Sequence, residues 1–269
     1  MWIIVCLVGC YLLGAIPFSL IIGQRVKGID LRHHGSGNLG ATNVYRNLGA
    51  GWGGVCLLLD AAKGSLAVVA MTTVVHAYPP DATLPLHLAG DIYRIFAAIV
   101  VVLGHSFSPF VGFKGGKGIA TTFGAFLILE PFPILICLGV FLAVFFATRI
   151  VSLGSLAAAA VFPWATLFFE IRSDRNSSTL IVLSFVLAAM VIWRHRANIR
   201  RLQAGTESQL QGPAADLEQA RRAADQTLQD LAPPDPPRQA DRTDERPSPP
   251  PAGDPASDPT DDPEQEERP

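Results

Sequence analysis

The chain has 269 residues, 49% of them hydrophobic and 16% charged, with a formal net charge of −2. That sum hides two unlike parts: residues 1–201 hold 15 Lys/Arg and 7 Asp/Glu, a balance of +8, whereas residues 202–269 hold 6 and 16, a balance of −10. Three runs free of Asp, Glu, Lys and Arg (Trp2–Gly23, Ile95–Phe113 and Ile150–Phe169) exclude a soluble body, because ~20 apolar residues of helix cross a bilayer's hydrocarbon.

The four cysteines, Cys6, Cys10, Cys56 and Cys137, lie in apolar runs without a C-x-x-C pair, so they read as reduced core residues rather than a disulfide framework or a metal site. In chain order, Trp2–Gly23 reads as a first spanning helix. Its Leu7-Val8-Gly9-Cys10 resembles a lipoprotein cleavage box but has no basic n-region. A polar, basic, glycine-rich segment over 24–49 follows. A second helix covers about 53–75 and carries Asp60 and Lys63, and the segment 76–91 reads as a proline-rich loop. A third helix over about 92–111 leads into a glycine-rich loop, Gly112–Gly118.

The run 119–148 has 30 residues, ~45 Å as one helix. Pro131 and Pro133 interrupt it, leaving a kinked single helix or a hairpin turning at 130–133. Further helices read at about 155–169 and 179–193, separated by a polar turn over 170–178. The hairpin gives seven spans, with the N-terminus outside and the C-terminus inside. It puts 11 basic residues on the inner side and three, Arg94, Arg172 and Arg175, on the outer side, which favours it over the single helix. The expected fold is an all-α integral membrane protein of about seven transmembrane helices. Its membrane domain covers 1–207, and a Pro-rich acidic disordered tail covers 208–269. Thirteen of the 21 prolines follow Leu202, and runs such as 233–237 cannot bury a core. One stretch of the tail, 214–231, has the spacing of an amphipathic helix.

Four polar segments carry the chemistry. Gly35–Arg46, reading GSGNLGATNVYR, sets Ser36, Asn38, Thr42 and Asn43 among glycines, a composition suited to an oxyanion or phosphate pocket, with Arg46 able to grip a phosphate in bidentate fashion. Helix capping by the same small polar residues is the competing reading. Gly104–Thr122, reading GHSFSPFVGFKGGKGIATT, packs four glycines and two lysines into Gly112–Gly118, with His105 just before. It is not a nucleotide-binding Walker loop, since Gly118 follows Gly116-Lys117 and Val111 stands where the first glycine belongs. Val151–Ser155 places Ser152 and Ser155 on one helix face. His195–Glu207, reading HRANIRRLQAGTE, places His195 and Asn198 three residues apart beside arginines suited to anionic headgroups. Asp60 and Lys63, also three apart, read as an intramembrane pair that is either self-neutralising or functional. The H-x4-D spacing of His76 and Asp81 falls in the loop expected outside and is set aside.

Together these segments resemble the bacterial membrane acyl-phosphate:glycerol-3-phosphate acyltransferase family, often called PlsY. GSGNLGATNVYR is similar to its first signature, GHSFSPFVGFKGGKGIAT to its second and VSLGS to its third. Asp60-Ala-Ala-Lys63-Gly64 and Arg194-His195-Arg196-Ala-Asn198 are similar to further family stretches, and the likeness covers about 1–207. The resemblance implies a multi-pass enzyme of the bacterial cytoplasmic (inner) membrane with its site at the cytoplasmic face. It implies acyl phosphate and glycerol 3-phosphate as substrates, lysophosphatidate as product and a place in phospholipid biosynthesis, with no cofactor, metal or nucleic acid.

On that reading Gly115, Gly116, Lys117 and Gly118 hold the acyl-phosphate phosphate. Ser36, Arg46, Lys114, His195 and Asn198 hold glycerol 3-phosphate, and Asn38, Thr42, Asn43 and Ser152 line the reacting centre. His105 or the substrate's own phosphate acts as the base. The alternative is a transporter for a phosphorylated metabolite, against which the concentration of polar segments on one face already counts.

Overall fold

Pro17 has no N–H to donate, and the first apolar run, expected as one helix, divides there into α1 (Trp2–Ala15) and α2 (Phe18–Lys27). The break turns two carbonyls toward distant side chains. Ala15 O accepts from Ser108 Oγ at 2.6 Å, and Ile16 O accepts from Lys63 Nζ at 3.2 Å. The structure, a computed structural model, describes residues 1–79, 86–172 and 178–210 together with positions 221 and 225. The chain divides into a unit Met1–Glu218 and a unit Gln219–Pro269. The amphipathic stretch expected over 214–231, apart from Arg221 and Asp225, lies outside the described residues, as do Asp81 and Arg175.

The segment 24–49, expected as irregular, contains a short helix, α3 (Ala41–Leu48), with Val44 and Asn43 turned inward. Next come α4 (Ala50–Ala77) and α5 (Leu86–Ser106), the latter followed by a 3-10 turn over Pro109–Val111. The run 119–148 is two helices, α6 (Ile119–Leu129) and α7 (Pro131–Thr148). They part at Glu130 because Pro131 fits the first turn of a new helix but not the interior of an old one. α8 (Val151–Arg172) starts four residues earlier than expected, which brings Ser152 into its first turn. α9 (Ser178–Arg194) is followed after a 58° bend by α10 (Arg196–Gln203), a helix the sequence reading did not draw.

Among the described residues, five helical stretches are long and apolar enough to cross a membrane: Trp2–Lys27, Ala50–Ala77, Asp91–Val111, Pro131–Thr148 and Val151–Arg172. The bent pair α9 and α10, if counted as one span, makes a sixth. α6, with 11 residues, is about 17 Å long, short of the ~30 Å hydrocarbon layer. Helices pack closely through small residues, as membrane bundles do. A Cβ on Gly14 or Gly104 would strike the backbone across the α1–α5 contact, and one on Gly64 or Gly124 would strike it across α4–α6. The core joins Cys10, Val68, Met71, Val101, Phe126, Phe162 and Leu187 from six helices. Outward, Leu58, Phe146, Trp164 and Val182 are more than 60% exposed, an apolar mantle fit for lipid.

Candidate active site

The first polar segment is held by one amide. Asn43 Nδ2 donates to the carbonyls of Leu31 and His34 at 3.0 and 3.1 Å, and its Oδ1 accepts from Ser36 N–H at 3.0 Å. Its side chain is therefore occupied in shaping the loop. Beside it Asp30 accepts a bidentate contact from Arg32, at 2.6 Å at its shortest, which holds the carboxyl down to about 2.

The second segment folds back on the end of α5. Gly115 N–H donates to Ser106 O, and Gly116 N–H to His105 O, both at 3.1 Å. The amides of these two glycines, expected to help hold the acyl-phosphate phosphate, bond to the end of α5. What glycine supplies at 116 is nearness, because a Cβ there would collide with His105 Nε2 and with the Leu39 carbonyl. At Gly118, φ is +82°, a left-handed residue that starts α6. Arg194 Nη2 reaches across from α9 and donates to the carbonyls of Gly115 and Gly116, each at 2.7 Å.

The remaining segments meet in one network. Lys117 Nζ donates to Asn198 Oδ1 at 2.5 Å, and Asn198 Nδ2 donates to Glu207 Oε1 at 2.6 Å. The same oxygen accepts from Ser152 Oγ at 2.7 Å, while Arg201 Nε donates to Glu207 Oε2 at 2.6 Å. Burial alone would raise the Glu207 carboxyl; the hydrogen bonds from Ser152, Asn198 and Arg201 outweigh it and hold the group below its ordinary value. The chain after Glu207 is tied down too, by Arg46 Nη2 on Ser208 O at 3.1 Å and Leu210 N on Arg149 O at 2.7 Å. His195 is buried, with Nδ1 2.8 Å from Val191 O. That partner requires a proton on Nδ1 and leaves Nε2 to accept.

These segments line one cavity of about 490 Å³. Of the fourteen positions singled out from sequence, thirteen line it: Ser36, Asn38, Thr42, Asn43, Arg46, His105, Lys114, Gly115, Lys117, Gly118, Ser152, His195 and Asn198. Gly116 borders a small adjoining space of about 10 Å³, which shares Asp60, His105 and Gly115 with the large cavity. A second cavity, about 250 Å³ and almost wholly apolar, lies against the first. Leu57, Ile119, Ala120, Phe141 and Ser155 border both.

Sequence reasoning missed Arg194 as a clamp, Arg201 and Glu207 as a pair, and the nearness of Asp60 to His105, 3.6 Å between Oδ1 and Nδ1. For Glu207 a signal existed: it is the one acid in 195–207, set among bases. His76, by contrast, bonds Thr72 O near the end of α4 and does not border the large cavity.

A family profile described as glycerol-3-phosphate acyltransferase matches residues 4–205. A glycerol-3-phosphate acyltransferase of Trichlorobacter lovleyi is 42% identical over 200 residues, covering 74% of this chain and 93% of that protein. A glycerol-3-phosphate acyltransferase 2 of Moorella thermoacetica is 41% identical over 210 residues, covering 78% and 98%. Among solved structures, PlsY, an integral membrane glycerol 3-phosphate acyltransferase, is similar in its glycerol 3-phosphate form, with a TM-score of 0.67 and 34% identity over 81% of this chain and 99% of that one. Its lysophosphatidic acid form gives a TM-score of 0.64 over 78% and 96%. With thirteen of the fourteen positions gathered at one cavity and its sequence matched along nearly the whole membrane unit, the chain belongs to the glycerol-3-phosphate acyltransferase family.

Proposed function

We propose that this protein is a multi-pass membrane acyltransferase that moves an acyl group from acyl phosphate to the sn-1 hydroxyl of glycerol 3-phosphate, releasing lysophosphatidate and phosphate. The observation that carries the reading is the pairing of cavities. A polar chamber bordered by Arg46, Lys114, Lys117, Arg194 and Arg201 shares a wall with an apolar chamber between α4, α6, α7, α8 and α9. Two anionic headgroups fit the first and a hydrocarbon chain the second, and the acyl carbonyl falls at the shared wall.

Lys117 and the N-terminal turn of α6, whose first N–H groups have no intrahelical partners, suit the phosphate of the acyl donor. Arg46, Lys114, Ser36, His195 and Asn198 suit glycerol 3-phosphate, with His195 Nε2 an acceptor for a glycerol hydroxyl. Asn38, Thr42 and Ser152 border the reacting carbon. Acyl phosphate is already activated, so the hydroxyl oxygen attacks the carbonyl directly; the new ester C–O bond forms as the bond to phosphate breaks. The hydroxyl proton passes to His105 or to the departing phosphate. Catalysis is chiefly positioning and stabilisation of developing charge. The bias of basic residues puts the chamber on the cytoplasmic side of the bacterial cytoplasmic membrane.

The test is direct. Purified protein in detergent, given palmitoyl phosphate and glycerol 3-phosphate, makes lysophosphatidate without added metal or coenzyme, and sealed inside-out vesicles do so without permeabilisation. Turnover with acyl-CoA alone would refute the donor, and vesicles active only when permeabilised would refute the orientation.

A further inference from the structure

The bend between α9 and α10 grips the glycine loop at two successive points. Arg194, the last residue of α9, donates from Nη2 to the carbonyls of Gly115 and Gly116, and Asn198 on α10 accepts from Lys117. On the other side of the loop, the N–H groups of Gly115 and Gly116 are bound to Ser106 O and His105 O at the end of α5. The N–H and C=O of one trans peptide unit point opposite ways. Binding the Gly116 N–H to α5 therefore turns the Gly115 carbonyl away from α5, toward Arg194. Gly115 and Arg194 both border the large cavity.

Two bare carbonyl oxygens beside Lys117 would set partial negative charge against an incoming phosphate and compete for the lysine's ammonium. One nitrogen of Arg194 holds both, each at 2.7 Å, the length of a charge-assisted bond. The guanidinium carbon lies 5.5 Å from the Phe107 ring centroid, and Nε is buried without a hydrogen-bond partner among the described residues. These contacts tie Arg194 to the loop and to the chain just after α5, which is the placement of a support for the loop. The planar guanidinium suits the task better than an ammonium, a point charge on a flexible stem.

We propose that Arg194 is a positioning residue for the donor half of the site: by taking up the Gly115 and Gly116 carbonyls it fixes the loop so that Lys117 and the first turn of α6 meet the phosphate of acyl phosphate with no opposing dipole beside them. Arg194 acts through the loop and contacts neither the acyl carbonyl nor glycerol 3-phosphate. Its loss therefore weakens the donor and spares the acceptor. This inference rests on the acyl-transfer reading above.

A double-mutant cycle tests it, with kcat and both KM values measured in detergent on purified Arg194→Ala, Lys117→Ala and the combined variant. Arg194→Ala raises the KM for palmitoyl phosphate by about 10-fold or more, the span of one charged hydrogen bond, and leaves the KM for glycerol 3-phosphate within about twofold. In the Lys117→Ala background the same change costs less than about twofold in kcat/KM for the donor, because residues acting as one unit are not additive. Guanidinium chloride, well below denaturing concentration, restores donor affinity to Arg194→Ala and leaves the wild type unchanged, which a general loss of folding would not allow. Arg194→Lys keeps the charge without the planar fork; its donor KM rises about as far, and it carries the test alone if the alanine variant does not fold. Equal rises in both KM values, losses that multiply with Lys117→Ala, absent rescue by guanidinium, or an Arg194→Lys variant with a wild-type donor KM each overturn the assignment. If the wild type makes lysophosphatidate from acyl phosphate and one of these results appears, only the Arg194 role falls; if the wild type makes none, the acyl-transfer reading falls first.

Discussion

At the scale of single residues, Lys117 is the most exposed to test. Its amine is pulled down from 10.5 to about 8, first by burial; Glu207 works against that shift, and Arg201, Arg194 and Arg46 add to it. An amine is charged below its pKa, so the free enzyme loses this cation as pH rises through about 8. The expected outcome is a kcat/KM for acyl phosphate that falls above pH 8, while kcat holds to higher pH because bound phosphate restores the proton. In Lys117→Ala the rate drops by about 10²-fold or more, and the alkaline limb disappears from what remains. A limb that persists in that variant assigns it to another group. Lys117 was legible in the sequence because it stands between Gly116 and Gly118. Glu207 carried a fainter signal, a lone acid among bases with no partner in view along the chain. Only the fold brings it to Ser152, 55 positions earlier in the chain.

At the scale of elements, the glycine loop is fixed from three sides: by the end of α5, by Arg194 on α9, and by the start of α6. The loop's value then lies in how close its backbone comes to His105. Gly116→Ala inserts a methyl group where the imidazole and the Leu39 carbonyl already stand. We expect the purified variant to keep its helical content and detergent-stable fold yet to lose about 10²-fold in turnover, since small misplacements at a reacting centre cost that much. A variant with near-normal rates would show that the loop can shift without consequence. The long apolar helices were readable from composition alone, as were the proline interruptions near 131. The break at Pro17 was not drawn, although proline's missing N–H is a sequence fact, because the hydropathy on both sides is continuous. The short helices α3 and α10 escaped for a related reason. Each has only eight residues and is mostly polar, so tertiary contacts through Val44, Asn43 and Asn198, rather than any long apolar stripe, hold it in place.

For the molecule as a whole, the question is how one bundle serves a charged headgroup and a hydrocarbon chain at once. The two chambers answer it by sharing a border at Leu57, Ile119, Ala120, Phe141 and Ser155. From that border the apolar chamber follows α8 past Ala158 and Ala159 to Phe162, which is packed edge-on by Phe126 at a centroid distance of 4.7 Å. Each methylene moved from water into such a chamber gains ~0.8 kcal/mol, so the chamber should bind donors according to chain length. Ala158→Leu adds three carbons to the wall and displaces about that many from a bound chain, a loss of ~2 kcal/mol or roughly thirtyfold in apparent affinity. The KM for a sixteen-carbon acyl phosphate should therefore rise by about that factor, while a donor too short to reach Ala158 keeps its wild-type value and the KM for glycerol 3-phosphate is unchanged. Equal losses for long and short donors would move the acyl chain out of this chamber and onto the lipid-facing surface of the bundle.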